Sequence, residues 1–287
     1  MSSSPSPDPN PLFTLPITTT PHGTKQIGTL ICTQPKPKIY LLTFSSPPDN
    51  RLVTGLCQAL ILALDILEHK HGDGVVITTS GVPKFYSNGM DVEHAQISGG
   101  YMPGSLYALW RRLLTYNMPT VALINGHAFA GGLMVAMAHD YRIMNPQKGY
   151  ISLNELELGM PLRAPMTALF RMKLSPKTLR KLILEAHRYK ALDALQAELV
   201  DGLGGLEATL GFVEELQLVG KARVGASGRC VYGELKREMW RETVGMIDSE
   251  GWAEEAVRGE GEREKRGRER EEAVGRVRRW EGRGSKL

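Results

Sequence analysis

The sequence predicts a layered α/β core followed by a helical C-terminal part. Two observations carry this expectation. Short β-favouring runs alternate with helically spaced apolar residues between positions 39 and 144, and from about Ser175 onward the spacing is almost wholly helical. The chain has 287 residues, 42% hydrophobic and 23% charged, which suits a globular protein with a sizeable core.

Residues 1–24 are rich in Ser, Pro and Thr and are expected to form a flexible arm, with order starting near Gln26. Ile39 to Phe44 reads as a strand closed by the turn cluster Ser45-Ser46-Pro47-Pro48-Asp49-Asn50. Leu52 to His69 has helical spacing through Leu56, Leu60, Ala63, Leu64 and Leu67. Gly74 to Thr79 is the next strand, and Tyr107 to Tyr116 a helix stopped by Met118-Pro119. Thr120 to Ile124, Gly131 to Ala138 and Tyr141 to Met144 then read as strand, helix and strand. Ser175-Pro176 is an N-cap followed by proline at the first helical position. No sequence repeat is visible. The expected organisation is an arm (1–24), an α/β core (25–200), a C-terminal helical region (201–250) and a charged tail (251–287).

The net charge of +4 is too mild to argue for nucleic acid. Cys32, Cys57 and Cys230 are far apart and match no metal or redox spacing, so they read as small hydrophobes in or near the core. No apolar run reaches the roughly 18 residues of a membrane helix, so no membrane span is expected.

Three segments stand out. Lys84 to Asp91 (KFYSNGMD) leaves a strand through small, turn-forming residues that let backbone N–H groups face a ligand, although Ser-Asn-Gly alone is an ordinary surface turn. Ile124 to Gly132 (INGHAFAGG) runs from strand into helix. A helix opening on Ala-Gly-Gly exposes unpaired N–H groups and a positive dipole end, or else serves close helix–strand packing. Tyr150 to Pro161 (YISLNELELGMP) sets Glu155 and Glu157 among leucines, a setting that can raise a carboxylate pKa by desolvation; taken alone, an exposed strand edge with two solvated glutamates is the favoured explanation.

In this order and at these separations the three segments resemble the crotonase (enoyl-CoA hydratase/isomerase) superfamily. The carrying residues are Gly89-Met90-Asp91, the glycine-led turn from Gly126 to Gly132, and Glu155 four residues before Gly159; His187 to Asp201 resembles the family's helix pair leading to a Val-Asp turn. The resemblance spans about residues 36 to 245. It implies a crotonase-like β/α superhelix (ββα-type) and an oxyanion hole for the thioester oxygen of an acyl-CoA, made by the Met90 and Gly131 N–H groups. Ser87, Asn88, Gly89, Met90, Asp91 and Gly131 become the implied substrate-binding set. No cofactor is implied, CoA being part of the substrate, and the implied assembly is a homotrimer or hexamer.

Within the family, hydratases carry a second glutamate where this chain has Met134, which neither takes nor gives a proton. Glu155 alone suits a double-bond shift, and the pattern looks most like the peroxisomal Δ3-Δ2-enoyl-CoA isomerase branch. Glu157 aligns with an exposed position and is read as structural; His127 and His139 are read as packing or surface residues. Met160-Pro161-Leu162-Arg163-Ala164-Pro165 departs from the family's usual continuation, leaving acyl length open. Two other readings stay open: a crotonase tailoring enzyme of secondary metabolism, and a non-catalytic acyl-CoA-binding or scaffold member. Ser285-Lys286-Leu287 at the C-terminus matches the tripeptide read by the peroxisomal import receptor, so a peroxisomal location is expected.

Overall fold

A computed structural model describes residues 11–19, 25–224, 230–249, 264, 267–271 and 274. The chain opens with β1 (Phe13–Thr18), β2 (Gln26–Lys36) and β3 (Ile39–Ser45), then α1 (Thr54–Lys70). Next come β4 (Val75–Ser80), β5 (Phe85–Ser87), α2 (Val92–Ile97), and a π-helical turn (Met102–Tyr107) running into α3 (Ala108–Leu114). They are followed by β6 (Thr120–Ile124), β7 (His127–Phe129), α4 (Gly131–Ala138), β8 (Tyr141–Met144), β9 (Ile151–Ser152) and α5 (Ala164–Arg171). The remainder is α6 (Pro176–Leu184), α7 (Ala191–Gln196), β10 (Gly202–Leu203), α8 (Leu206–Glu215), α9 (Leu218–Lys221), α10 (Val231–Met239) and α11 (Arg241–Asp248).

Seven strands form one sheet in the order β1-β2-β3-β4-β6-β8-β10, and three form a second in the order β5-β7-β9. The first three strands pair antiparallel; every later pairing in either sheet is parallel. From β4 to α5 each of three turns of chain repeats one pattern: a strand in the large sheet, a short strand in the small sheet, then helix. This ββα repeat exists in three dimensions without any repeat in the sequence.

Central strands β4 and β6 are buried along their whole length, as expected for parallel strands covered on both faces. Ile39, Val75, Ile77, Val121, Leu123 and Ile143 alternate onto one face and pack against Leu210, Val213 and Leu218. Helix α4 is apolar all round and every residue in it is buried, which makes it the molecule's central helix. Ser175 caps α6 through its side chain, accepting from the Thr178 N–H. Cys32 and Cys57 are buried, and Cys230 is half-buried.

The C-terminal part is fastened to β8 by charge. Arg142, 5% exposed, donates to Asp201 Oδ2 at 2.7 Å and to Leu199 O at 2.8 Å. Lys236 on α10 donates to Asp140 Oδ2 at 2.8 Å, and the same oxygen accepts the Thr120 N–H at 2.8 Å. The Val200-Asp201 turn is therefore an anchor. The stretch read as a helix pair, His187 to Asp201, holds one helix, α7.

The loose-arm expectation needs correction at Phe13–Thr18, which is strand β1, paired with β2 from Phe13↔Cys32 onward, with Ile17 fully buried; residues 1–10 and 20–24 of the expected arm lie outside the described residues. The composition of β1 looked like a linker, but a neighbouring edge strand satisfies its backbone. The boundary expected at 200/201 is also crossed by the large sheet, since β10 pairs with β8. By contacts the chain divides at Ile247/Asp248 instead. Residues 264, 267–271 and 274 of the charged tail are helical. Among the described residues no helix is long and apolar enough to cross a membrane, and no group of His, Cys, Asp or Glu has metal-binding geometry.

Gly132 marks where α4 meets β5, because a β-carbon there would collide with the Ser87 carbonyl oxygen. Gly132→Ala is expected to destabilise by about 1–3 kcal/mol in urea unfolding through overpacking. Gly211→Ala, inside α8 and facing open space, should instead stabilise by about 0.5–1 kcal/mol.

Candidate active site

The three singled-out segments leave the C-terminal ends of three adjacent parallel strands. β5 ends at Ser87 and leads into Asn88-Gly89-Met90, β7 ends at Phe129 and leads into Ala130-Gly131, and β9 ends at Ser152 and leads into Asn154-Glu155. The pairs Ser87↔Ala128 and Phe129↔Ser152 bring those ends level. The mouths of such strand ends are where parallel sheets place ligands.

A cavity of about 260 Å³ opens there, and Asn88, Met90, Gly131, Met134 and Glu155 all line it. Gly89 adopts φ +85°, and a β-carbon on it would stand 2.8 Å from Phe129 O and 3.1 Å from Gly131 N. A β-carbon on Gly131 would stand 3.2 Å from Met90 N. The two amide nitrogens thus share one small space that only glycines leave open. Neither N–H has a hydrogen-bond acceptor among the described residues: the bridge between Leu52 and Met90 uses the Gly89 carbonyl, and Gly131 is the first residue of α4. Ala130 is turned to φ +49°, a strained conformation for a residue with a side chain, and its own N–H donates to Ser152 O at 3.0 Å.

Ser87, Gly89 and Asp91, members of the expected substrate-binding set, support this loop and do not line the cavity. Ser87 Oγ donates to Asn50 O at 2.8 Å and accepts the Gly89 N–H at 3.2 Å. Asp91 caps α2, accepting the His94 N–H at 2.8 Å.

Glu155 is 8% exposed and is the one carboxylate on the cavity wall among the described residues. Its Oε2 is buried with no hydrogen-bond partner. Desolvation, partly offset by a backbone hydrogen bond, raises its pKa from an ordinary 4.5 to about 7. Glu157 points away, exposed, and pairs with Arg188 at 2.8 Å. His127 stacks on Tyr150, and its Nδ1 accepts the Tyr150 N–H at 3.1 Å; burial, then Lys84, lowers its pKa. His139 is wholly buried, bonded to Val135 O and Thr78 Oγ1, and burial drives its pKa down to about 3. Neither histidine reaches the cavity. Ser285, Lys286 and Leu287 lie outside the described residues.

Sequence reasoning missed Arg51, Leu106, Asn154 and Met166 on the cavity wall. Arg51 Nε donates to Asp49 Oδ2 at 3.0 Å and Nη1 to Met90 O at 3.2 Å, which clamps the loop. Beside it the buried Asn50 has φ +51°, accepts the Ser46 N–H at 2.6 Å, and donates to Ser80 Oγ at 2.6 Å and Tyr86 O at 3.1 Å. The signal was the Asp49-Asn50 pair in a turn cluster, since asparagine tolerates left-handed backbone while bonding neighbouring backbone.

With its folded pKa above its unfolded one, Glu155 holds a proton more readily in the folded protein. Stability is therefore expected to fall as pH rises from about 4.5 through about 7. Glu155→Gln should remove that slope and be more stable above pH 7 by about 1–3 kcal/mol, read from denaturant unfolding across pH.

A model of the enoyl-CoA hydratase/isomerase family matches residues 35–210. The enoyl-CoA delta isomerase 3 of Arabidopsis thaliana is 30% identical over 224 residues, covering 73% of this chain and 92% of that protein. The peroxisomal enoyl-CoA delta isomerase 2 of the same plant is 27% identical, covering 74% and 92%. A crystal structure of a probable enoyl-CoA hydratase of Mycobacterium tuberculosis agrees with a TM-score of 0.69 at 21% identity, over 81% of this chain and 98% of that one. At that identity it speaks for the fold alone. Family match, relatives and converging strand ends agree: the chain belongs to the enoyl-CoA hydratase/isomerase, or crotonase, family.

Proposed function

We propose that the protein is a Δ3-Δ2-enoyl-CoA isomerase. The observation that carries this reading is the composition of the cavity, in which Glu155 is the one carboxylate among the described residues and Met134 occupies the position where hydratases of the family carry another. Water addition needs a group on that side to position and deprotonate water. A double-bond shift needs one group that first removes a proton and then returns it.

In this mechanism the ionised Glu155 takes a proton from C2 of a 3-enoyl-CoA. The C–H electron pair forms the dienolate, and negative charge collects on the thioester oxygen between the Met90 and Gly131 N–H groups. Each such donor contributes about 2.7–4 kcal/mol of barrier lowering. Protonated Glu155 then delivers the proton to C4, the old double bond supplies the electrons, and the product is the 2-enoyl-CoA. A pKa of about 7 lets one group act as base and then acid near neutrality. CoA enters and leaves as part of the substrate, and the reaction draws on no other cofactor. The role that fits is fatty-acid β-oxidation, where misplaced double bonds must be moved.

The test is product analysis with 3-enoyl-CoA and 2-enoyl-CoA substrates. Isomerisation should dominate and hydration be negligible, with kcat rising along a limb centred at about pH 7. Glu155→Gln should lower kcat by about 10²–10⁴-fold while acyl-CoA still binds. Hydration at a comparable rate, or near-normal turnover by Glu155→Gln, would exclude the assignment; activity on no fatty enoyl-CoA would favour a tailoring or scaffold member.

We also propose a peroxisomal location, supported by Ser285-Lys286-Leu287 and by relatives described as peroxisomal. An N-terminal fluorescent fusion should enter peroxisomes and become cytosolic when these three residues are deleted, with enzyme activity retained. Cytosolic residence of the intact fusion would make the tripeptide a coincidence.

A further inference from the structure

The wall of the cavity beyond the reacting centre is unusual in its side chains. Met134 on α4, Met166 on α5 and Met160 in the loop between Glu155 and α5 come from separate elements and converge on it, joined by Leu106 from the π-helical turn. Leu106, Met134 and Met166 are 1%, 2% and 7% exposed, which marks the deep end, whereas Leu158, 56% exposed, marks the mouth. Met134 lies three residues after Gly131 on the same face of α4, so its thioether leans toward the helix start where the two amides sit.

The cavity of about 260 Å³ is small. Ligand pockets usually run from roughly 300 to 1,000 Å³. Here the space must hold a thioester head and the acyl tail behind it, so a long tail enters only if the wall moves. Methionine is the side chain that moves: it is unbranched, has three rotatable bonds, and keeps favourable contacts through its polarisable sulfur in many shapes. Methionine-rich surfaces elsewhere repack around different partners for the same reason.

We propose that Met134, Met160 and Met166 form an adjustable acyl wall, so that the site accepts enoyl-CoA thioesters from medium to long chain length instead of a single length. This deepens the isomerase reading and rests on its acyl-CoA substrate class. β-Branched isoleucine, stiff at χ1, should lock the wall and set an upper length.

The experiment compares the natural chain with the Met134→Ile/Met166→Ile double variant. Calorimetry measures binding of saturated acyl-CoAs with six, ten and fourteen carbons, and turnover is measured on the matching 3-enoyl-CoAs. The natural chain should vary within about tenfold across the lengths; the double variant should keep six-carbon binding within about threefold and lose about tenfold or more at fourteen carbons. Sharp preference of the natural chain for one length, or an unchanged profile in the double variant, overturns the proposal. Should the double variant fail to bind the six-carbon ligand, Met166→Ile alone decides: selective loss of the long ligand supports the wall and no loss overturns it. Broad, isoleucine-sensitive binding without turnover would refute the isomerase reading and leave the wall standing. Turnover with lengths unaffected by isoleucine would do the reverse.

Discussion

In the small parallel sheet, β5, β7 and β9 have only two or three residues each, yet their pairing decides where every chemical group stands. Ser87 opposite Ala128 and Phe129 opposite Ser152 bring to one place three loops that are far apart in the chain. A slip of one residue would turn each strand over and carry Met90, Gly131 and Glu155 away from one another. Strands so short cannot hold register by their own hydrogen bonds. The register is imposed by the large sheet, whose buried strands β4, β6 and β8 deliver them, and by the close seating of α4 on β5 at Gly132.

From that constraint the site follows in steps. Close seating demands glycine, and glycine at 89 and 131 lets two backbone amides share one small space without acceptors of their own. The same crowding strains Ala130 and buries Glu155 with one oxygen unpartnered. These features oppose stability individually, and the ordinary apolar core of the large sheet and α4 supports them. The raised pKa of Glu155 is then a consequence of packing, since desolvation is its leading cause.

Support for the loops comes from a shell of polar side chains that do no chemistry. Asn50 ties the end of β3 to β4 and β5, Arg51 clamps the Met90 carbonyl, and Asp91 caps α2. Farther out, Arg142–Asp201 and Lys236–Asp140 hold the C-terminal helices against β8. Buried charges of this kind are tolerated because each finds a partner and further hydrogen bonds.

Much of this was legible in the sequence. The strands at 39–45, 75–80, 120–124 and 141–144 and helices α1 and α4 were readable from apolar period and turn residues, and the three segments around Met90, Gly131 and Glu155 were found by their order and spacing. Local pattern sufficed where an element's own residues specify it. Strands β1, β2, β5, β7, β9 and β10 were not readable: β5, β7, β9 and β10 have only two or three residues, and β1 and β2 are interrupted by Pro16, Gly28 and Pro35, so they form only when a neighbour pairs with them. Arg51, Leu106 and Met166 were missed for the same reason: nothing in their own sequence neighbourhood announces that three distant elements will meet. Residue types and their order thus belonged to the sequence, whereas the convergence of Met90, Gly131 and Glu155, and the desolvation that perturbs Glu155, were decided by tertiary packing, because proximity and burial are properties of the folded chain as a whole.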